Sequence, residues 1–536
     1  MLGPLESMNL IGAINFFPNE IVNLAYNLMI QTTAGPSGVS SIQVEHLSNL
    51  LGFECDFKVR DKSELNSYYP FILECELSRL RRTLHDKPIF IIHDASPYYG
   101  GDIFAVLVRT IDDECRIHYS LLLLAMEDME NMSADCVNKH IAMALARAGV
   151  DDLLLIGGCS DAVAYNVCHN GRHRPKMTAF LCHCHLFNNC MVGSGSGIVE
   201  AFTTSWLFLS SKSHKFKTVF EATFEVTLKK GSNTRWHGCT ETREQIYDVI
   251  DQIPNFVNAV LPRCAISNES TKKMKEIVNS KKQWKTFKKE LRQIMEVGNV
   301  VRSTSRILER SGFVALQSYD VVMNLKGVLE QMVTNNPIAQ DVLNYLNPRE
   351  FTEGGNYYEA FRILEGIRIF DPFWVASHQN EVEDCFNTWC QFDSNSPADE
   401  EHVRTHELPQ YIEYCVDVVN EIHQNQEVED DYDERISEAW RSLKVLDNIP
   451  IFIEASDIVL TYTPSSAAIE RIFSILTNVK AAQKEVSLMD RLEADMMIKT
   501  REVLNDRGEM NVLGYNPRKK KRVEEETKNE EDEDYL

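Results

Sequence analysis

Short apolar runs between residues 86 and 190 alternate with amphipathic segments, and this pattern predicts an α/β unit. The predicted elements, in order, are strands at Ile89 to Asp94, Ile103 to Val108 and Arg116 to Leu124, a helix at Ser133 to Ala148, a strand at Leu153 to Ile156, a helix at Asp161 to Cys168 and a strand at Thr178 to Cys182. The order is βββαβαβ, which predicts three antiparallel strands followed by alternating helices and strands.

Helical periodicity dominates on both sides of this unit. Residues 1 to about 85 are predicted to be helical and include the amphipathic segment Phe71 to Leu84. From about residue 190 to residue 450 the pattern is again mostly helical, with long periodic segments at Glu241 to Val260 and Glu276 to Glu296. The sequence therefore predicts a large helical region after the α/β unit.

A further helix is predicted near the end of the chain. Thr463 can cap the first free amides and Pro464 suits the first helical position. Apolar residues then recur at helical spacing and would bury one face: Ile469, Ile472, Phe473 and Leu476. Glu470 would lie two turns into this helix, among apolar neighbours.

Length and composition bound the class of protein. A chain of 536 residues suits about three domains, and a hydrophobic content of 44% supports globular folding. The sequence contains no apolar run long enough to span a membrane and no secretion signal at its N-terminus. The fourteen cysteines are not arranged as a small disulfide framework, which is typical of thiols in a reducing compartment. We therefore expect a soluble intracellular protein with no membrane partner.

The distribution of charge is uneven. The formal net charge of −24 opposes a general DNA-coating role, because DNA repels a protein whose summed field is negative. Acidic residues concentrate between Glu381 and Glu438 and again from Glu524 to Asp534, where they could recruit other proteins. A basic helix candidate with Trp284 and Phe287 between its charges could instead meet a phosphate backbone. Its predicted DNA-contacting residues are Lys281, Lys282, Lys285, Lys288 and Lys289.

The string Ser465-Ser466-Ala467-Ala468-Ile469-Glu470-Arg471-Ile472-Phe473-Ser474 resembles the C-terminal signature of the hAT superfamily of DNA transposases. The resemblance implies an RNase H-like core, interrupted by a large all-α insertion before its last helix. It also implies that Glu470 supplies the last metal-binding carboxylate and that the C-terminal region dimerises. Apolar residues beyond those that close one core favour such self-association: Leu488, Leu492, Met496 and Met497.

Two aspartates precede Glu470 in the predicted core. Asp94 ends the first strand and Asp161 follows the strand at Leu153 to Ile156, so adjacent strands could bring both acids together. With Glu470 they would form a catalytic, metal-binding triad, since phosphoryl transfer on DNA uses clustered carboxylates to hold two hard cations. Magnesium, or manganese, is the predicted cofactor. The alternatives are a turn residue at Asp94 and a helix N-cap at Asp161.

A cysteine and histidine cluster lies at the fifth strand. In the segment Leu181-Cys182-His183-Cys184-His185, Cys182 and His185 match a Cys-x-x-His motif of the hAT family, where it shapes the active site. Zinc is the less favoured alternative, since thiolate and imidazole suit it but the spacing is not that of a recognised finger. Buried thiols with a hydrogen-bonded histidine are the third interpretation.

The segment Thr234-Arg235-Trp236 resembles the element that opens the inserted domain in hAT proteins. The resemblance implies that Trp236 stacks on a flipped base of flanking DNA and that Arg235 contacts a phosphate. A tryptophan packed at a domain junction, with the arginine in an ion pair, is the alternative.

Two further features concern DNA reading and location. Only His46, Cys55 and Cys75 occur before residue 80, so an N-terminal zinc finger is not predicted, and the chain is either a truncated or domesticated copy or reads DNA through the basic helix. The run Pro517 to Val523 has the basic density of a nuclear import signal, which predicts a nuclear protein. A solvated basic run in a disordered tail is the alternative.

The sequence therefore predicts an α/β protein in five regions. These are an N-terminal helical region at 1–85, the first part of an RNase H-like core at 86–190, an all-α insertion at 191–450, the last core helix and dimerisation region at 451–508, and a disordered charged tail with the basic motif at 509–536. The predicted function is metal-dependent DNA cleavage and strand transfer. The alternative is a catalytically silent, domesticated descendant that acts as a dimerising nuclear interaction protein.

Overall fold

The computed structural model has a mixed α/β fold, in which helices surround a central five-stranded sheet. The structure describes residues 69–98, 101–127, 132–174, 177–192, 197–228, 238–266, 268–424 and 431–482, together with 492–494, 496, 497, 499, 500 and 504. Most of the predicted N-terminal region and the whole predicted tail lie outside the described residues, including the basic run from Pro517 to Val523.

The five strands follow the predicted order along the chain. They are β1 (Ile89–Tyr98), β2 (Gly101–Ile111), β3 (Ile117–Glu127), β4 (Leu155–Ser160) and β5 (Thr178–Leu181). In space the order is β3-β2-β1-β4-β5, with antiparallel pairing on the β3-β2-β1 side and parallel pairing on the β1-β4-β5 side. The predicted order of the strands along the chain and the antiparallel pairing of the first three are therefore confirmed.

The parallel half of the sheet positions the polar residues. Ile92 of β1 lies opposite Cys159 of β4, and Ser160 of β4 lies opposite Leu181 of β5. Because parallel strands end at the same edge of a sheet, the residues that follow Ile92, Cys159 and Leu181 gather at one place. Asp94, Asp161 and Cys182 are among these residues.

Four helices adjoin the sheet region. They are α1 (Tyr69–Thr83), α2 (Ala134–Ala148), α3 (Ala164–His173) and α4 (His183–Val192), with a 3₁₀ turn at Asp152–Leu154. Helix α2 begins where Ser133 accepts a hydrogen bond from the amide of Cys136, and it ends at Gly149, whose φ of 63° favours glycine. These caps account for the close agreement between the predicted and observed bounds of α2.

The described residues between Gly197 and Val459 form helices and turns and contain no strand. The helices are α5 (Gly197–Lys212), α6 (His214–Phe224), α7 (Gly238–Asp248), α8 (Ile253–Asn255), α9 (Leu261–Arg263), α10 (Glu269–Asn279), α11 (Lys281–Leu308), α12 (Val314–Met332), α13 (Pro337–Glu350), α14 (Tyr358–Gly366), α15 (Pro372–Ser377), α16 (Val382–Phe392), α17 (Glu400–His402), α18 (Leu408–Gln424), α19 (Tyr432–Leu443) and α20 (Pro450–Val459). Single 3₁₀ turns occur at Ile367–Phe370 and Gln379–Glu381, and π turns at Phe256–Val260 and Val403–Glu407. Helix α21 (Ala467–Ala482) follows α20.

Several predicted bounds were wrong. Strand β1 continues to Tyr98 because its pairing with β2 persists beyond Asp94, so Asp94 lies inside the strand. The periodic segment from Glu276 to Glu296 is divided at Ser280, which ends α10 and caps α11. The segment from Glu241 to Val260 is divided likewise, since α7 ends at Asp248 and a turn follows. Helix α21 begins at Ala467, three residues later than predicted.

A buried polar cluster ties the helical region to the sheet. The carboxylate of Asp393, which follows α16, accepts hydrogen bonds from Thr178 Oγ1 at 2.7 Å, Tyr462 OH at 3.0 Å and Trp389 Nε1 at 3.1 Å. Asn395 donates from Nδ2 to Tyr462 OH at 2.8 Å. Thr178 begins β5 and Tyr462 precedes α21, so this cluster fixes both elements relative to α16.

The segment after α21 packs against the same chain. Leu492, Met496 and Met497 are buried, and Glu493 forms a bidentate ion pair with Arg147 of α2. Leu488 lies outside the described residues. The described side chains on which the dimerisation prediction depended are therefore buried within one chain. Self-association stays a prediction, and it would have to use another surface.

None of the helices that the structure describes is both long enough and apolar enough to cross a membrane.

Candidate metal centre

Three side chains from distant parts of the chain meet at the edge of the sheet. Asp94 lies in β1, His185 in the first turn of α4 and Glu470 in the first turn of α21. One ligand atom from each lies within 4.8 Å of the other two. Nε2 of His185 is 3.8 Å from Oε1 of Glu470. Among the residues that the structure describes, this is the one group of three such side chains whose ligand atoms approach so closely.

The carboxylate of Asp94 is buried at the centre of this group. Its Oδ1 accepts a hydrogen bond from the amide of Ala95 at 2.8 Å. Burial, the charge of Asp161 and the charge of Glu470 together hold the pKa of Asp94 well above its usual range, and His185 and the Ala95 amide offset this only in part. The positive charge near an ionised Asp94 therefore compensates only part of the cost of its ionisation.

Asp161 borders the group. It directly follows β4, and its Oδ1 accepts hydrogen bonds from Asn166 Nδ2 at 2.7 Å and from the amide of Val163 at 3.3 Å. Its charge is close enough to raise the pKa of both Asp94 and His185. Helix α3 begins later than predicted, at Ala164, so Asp161 is not its N-cap. The three predicted acids therefore lie close enough for the charges of Asp161 and Glu470 to act on Asp94.

His185 carries most of the positive charge near these acids. Burial favours its neutral form, but the Cys182 thiolate and the carboxylates of Asp94 and Asp161 outweigh burial and raise its pKa to about 10. Burial likewise opposes ionisation of Cys182, yet hydrogen bonds from Cys184 and His185 and the charge of His185 hold the pKa of Cys182 well below its usual range. These opposite shifts favour a thiolate at Cys182 beside an imidazolium at His185.

The turn that carries Cys182 and His185 is bonded to the turn that precedes α21. The contacts are His183 N to Pro464 O at 3.0 Å, Ser466 N to Cys182 Sγ at 3.3 Å, and Cys184 Sγ to Ser465 Oγ at 3.4 Å. They explain why α21 starts at Ala467, because Pro464 O and Ser466 N bond to the other turn. They also set the distance between His185 and Glu470.

A buried ion pair connects this turn to the helical region. Nε2 of His183 lies 2.7 Å from Oε1 of Glu350, the last residue of α13, and neither side chain is exposed to solvent. Burial favours a neutral imidazole, but the Glu350 carboxylate outweighs it and raises the pKa of His183. The ring of Tyr357 packs edge-on against His183 at 5.6 Å. The position of the site therefore depends on a residue of the helical region.

Replacing Glu350 by glutamine is expected to lower the free energy of unfolding by about 1–2 kcal/mol. Removing one partner of a buried ion pair costs about 3–5 kcal/mol, and the glutamine amide, which keeps the shape and polarity of the side chain, offsets part of this cost. Urea unfolding followed by tryptophan fluorescence measures the change. Glu353→Gln, at an exposed position three residues later, is the matched control. Equal midpoints for the two variants would contradict a stabilising ion pair.

The donor set fits a divalent cation. Ligand atoms around one ion with bonds of about 2.1 Å lie at most about 4.2 Å apart, so the 4.8 Å group needs only a small contraction. Carboxylate oxygens suit Mg²⁺ and Mn²⁺, and an imidazole nitrogen suits Mn²⁺ better than Mg²⁺. The cysteines of the predicted zinc alternative do not belong to this group.

The predicted DNA-contacting residues lie elsewhere or are not described. Lys281, Lys282, Lys285, Lys288 and Lys289 are exposed in the first turns of α11. Arg235 and Trp236 lie outside the described residues. The lysines therefore lie on a different part of the described structure from the cluster of Asp94, His185 and Glu470.

The sequence analysis underrated one residue of the candidate site and missed one residue that supports it. His185 was expected to shape the site, whereas its own ligand atom lies within 4.8 Å of those of Asp94 and Glu470. Its place four residues after the end of β5 could have shown its closeness to the aspartates, since β5 is parallel to the strands that carry them. Glu350 gave no sequence signal, because its partner is 167 positions away and helical glutamates are usually solvated.

Comparison with models of known protein families finds no match to this chain, and comparison with curated proteins finds none either.

Proposed function

We propose that this protein cleaves and transfers DNA phosphodiesters in a metal-dependent reaction at Asp94, Asp161 and Glu470. The observation that carries the proposal is the convergence of Asp94, His185 and Glu470 within 4.8 Å, with Asp161 alongside. A cluster of acids in which burial and mutual repulsion raise the pKa of the buried member is typical of a functional site, and bound cations would relieve that repulsion. Such a site is suited to phosphoryl transfer.

The order of the strands supports an RNase H-like core of the kind found in hAT transposases. Three antiparallel strands are followed by two parallel ones, and the acids occupy β1, the end of β4 and the first turn of the last long helix. A long all-helical stretch separates β5 from that helix. This arrangement agrees with the resemblance seen at Ser465 to Ser474, and both favour the same family.

Asp94, Glu470 and Asp161 would hold the cations, with His185 as a further ligand or as a neighbouring positive charge. Divalent cations at such a site activate the attacking oxygen and stabilise the leaving oxygen. The chain itself fixes the geometry. The Ala95 amide orients Asp94, and Arg471 donates from Nη2 to Glu309 O at 2.7 Å, which holds the turn that bears Glu470.

Protonated His185 has a separate role in this proposal. Its charge offsets part of the repulsion between the carboxylates while no cation is bound. A metal that used the imidazole as a ligand would have to displace the proton first, so binding through His185 would release a proton. His185 thus keeps the acids close together in both states.

The test is nicking of supercoiled plasmid DNA by the full-length protein with Mg²⁺ or Mn²⁺. We expect nicked and linear products that disappear when EDTA is added. Binding of Mn²⁺, followed by the loss of its free electron paramagnetic resonance signal, reports on the site independently of DNA. Failure to bind Mn²⁺ and failure to nick would favour the alternative function, a protein-binding descendant whose acidic surfaces recruit partners. We further propose that the protein acts on DNA in the nucleus.

A further inference from the structure

The longest helix connects the candidate metal centre to the strongest basic patch in the described chain. Near its C-terminal end, Ser305 O lies 3.7 Å from Cys184 Sγ, and Glu309 O accepts the hydrogen bond from Arg471. Its N-terminal end begins at Lys281, capped by Ser280. Helix α11 therefore spans the distance between the two surfaces.

The basic residues of this end lie on one side of the helix. At 3.6 residues per turn, they fall within an arc of about 120°, and we define the lysine stripe as Lys281, Lys282, Lys285, Lys288 and Lys289. The opposite side carries Phe287 and Leu291, which are buried. The stripe is therefore fixed by the packing of the apolar side and faces solvent.

The stripe is short of neighbouring negative charge. Of its five lysines, only Lys288 lies within 4 Å of a carboxylate in the described structure, at 3.9 Å from Asp251, whose side chain is itself highly exposed. Nine basic residues stand against three acidic ones between Glu269 and Arg292, in a chain with a net charge of −24. This concentration of uncompensated charge is the kind of surface that attracts a phosphate backbone.

The helix also fixes how far the stripe lies from the site. At 1.5 Å per residue, Ser305 is about 24 Å from Lys289 and about 36 Å from Lys281 along α11. Duplex DNA rises about 3.4 Å per base pair, so these distances correspond to about 7 and 11 base pairs. One turn of duplex therefore matches the separation.

We propose that the lysine stripe binds the backbone of duplex DNA. The bound backbone would lie about 7–11 base pairs from the phosphodiester held at Asp94, Asp161 and Glu470. This inference rests on the proposed function and adds to it a second contact and a spacing. The stripe would hold the duplex without reading its sequence, because lysines contact phosphates as point charges.

The first test is DNA affinity. Fluorescence anisotropy with a 30-base-pair duplex measures the dissociation constant at several salt concentrations. The double variant Lys281→Glu with Lys285→Glu is expected to weaken binding and to lower the slope of log affinity against log salt by about 1.8, since each phosphate contact contributes about 0.9. The control variant, Lys281→Arg with Lys285→Arg, keeps both charges and is expected to retain the wild-type slope.

The second test is the position of nicks in end-labelled duplexes of 8 to 40 base pairs. Wild-type protein is expected to nick only where at least about 7 base pairs extend on one side, and the charge-reversed variant is expected to lose this requirement. An unchanged salt slope in the charge-reversed variant would overturn the proposal, as would nicking by wild type next to both ends of short duplexes. A reduced slope with no nicking anywhere would keep the DNA surface but reject the proposed function and the spacing.

Discussion

Replacement of Asp94 by asparagine is expected to reduce metal-dependent nicking of DNA by about 10³-fold. Bound metal ions supply several kcal/mol of transition-state stabilisation, and 1.36 kcal/mol corresponds to a factor of ten in rate. Asparagine keeps the shape of the side chain but removes the charge that holds the cation. Glu470→Gln is expected to have a comparable effect, because Glu470 belongs to the same group of ligand atoms.

The same variant should make the metal-free protein more stable. Asp94 has a pKa above that of an unfolded aspartate, so its ionisation at neutral pH opposes folding. Thermal unfolding of Asp94→Asn in EDTA should therefore show a higher midpoint, while the activity falls. Glu454→Gln, at an exposed position on α20, is the control and should change neither quantity. Nicking by Asp94→Asn within threefold of wild type would contradict the assignment of the site.

Replacement of Asp393 by alanine is expected to lower the free energy of unfolding by about 3–5 kcal/mol. The change would leave the hydroxyls of Thr178 and Tyr462 and the indole N–H of Trp389 without their acceptor. Each buried donor without a partner costs about 1–3 kcal/mol, and the Asn395 amide nitrogen, which itself donates to Tyr462 OH, does not replace the lost acceptor. Urea unfolding followed by tryptophan fluorescence measures the loss.

Two variants bracket this result. Asp393→Asn retains one acceptor oxygen and should lose about half as much stability. Asp384→Ala, at an exposed position of α16, should change the free energy of unfolding by less than about 0.5 kcal/mol. A loss of the same small size for Asp393→Ala would show that the cluster is not a structural link between α16, β5 and α21.

The sequence predicted the existence and order of the strands because their buried side chains follow a clear pattern. It placed the fourth strand at Leu153 to Ile156, whereas β4 runs from Leu155 to Ser160. It placed the end of β1 too early, since side chains stop being apolar at Asp94 while backbone pairing with β2 continues to Tyr98. The start of α21 was misplaced for a related reason. Capping rules consider only local partners, but Ser466 N bonds to Cys182 Sγ and Pro464 O accepts from His183 N.

The site was predictable in part. Asp94, Asp161 and Glu470 were recognisable from strand order and from one short motif. The closeness of His185 to Glu470 was not, because it depends on contacts between residues about 280 positions apart. The role of Glu350 could not be predicted for the same reason, since no local pattern shows which helix of a long helical region faces the sheet.

The bond between the turn at Cys182 to His185 and the turn at Pro464 to Ser466 has a consequence for synthesis on the ribosome. Roughly 280 residues separate His185 from Glu470. At about 5–20 residues per second, the ribosome needs about 15–60 s to make them. During that interval the growing chain contains Asp94 and Asp161 but not Glu470, so the candidate metal centre cannot yet assemble. A chain that terminates before Glu470 would lack one of the three side chains of that candidate centre.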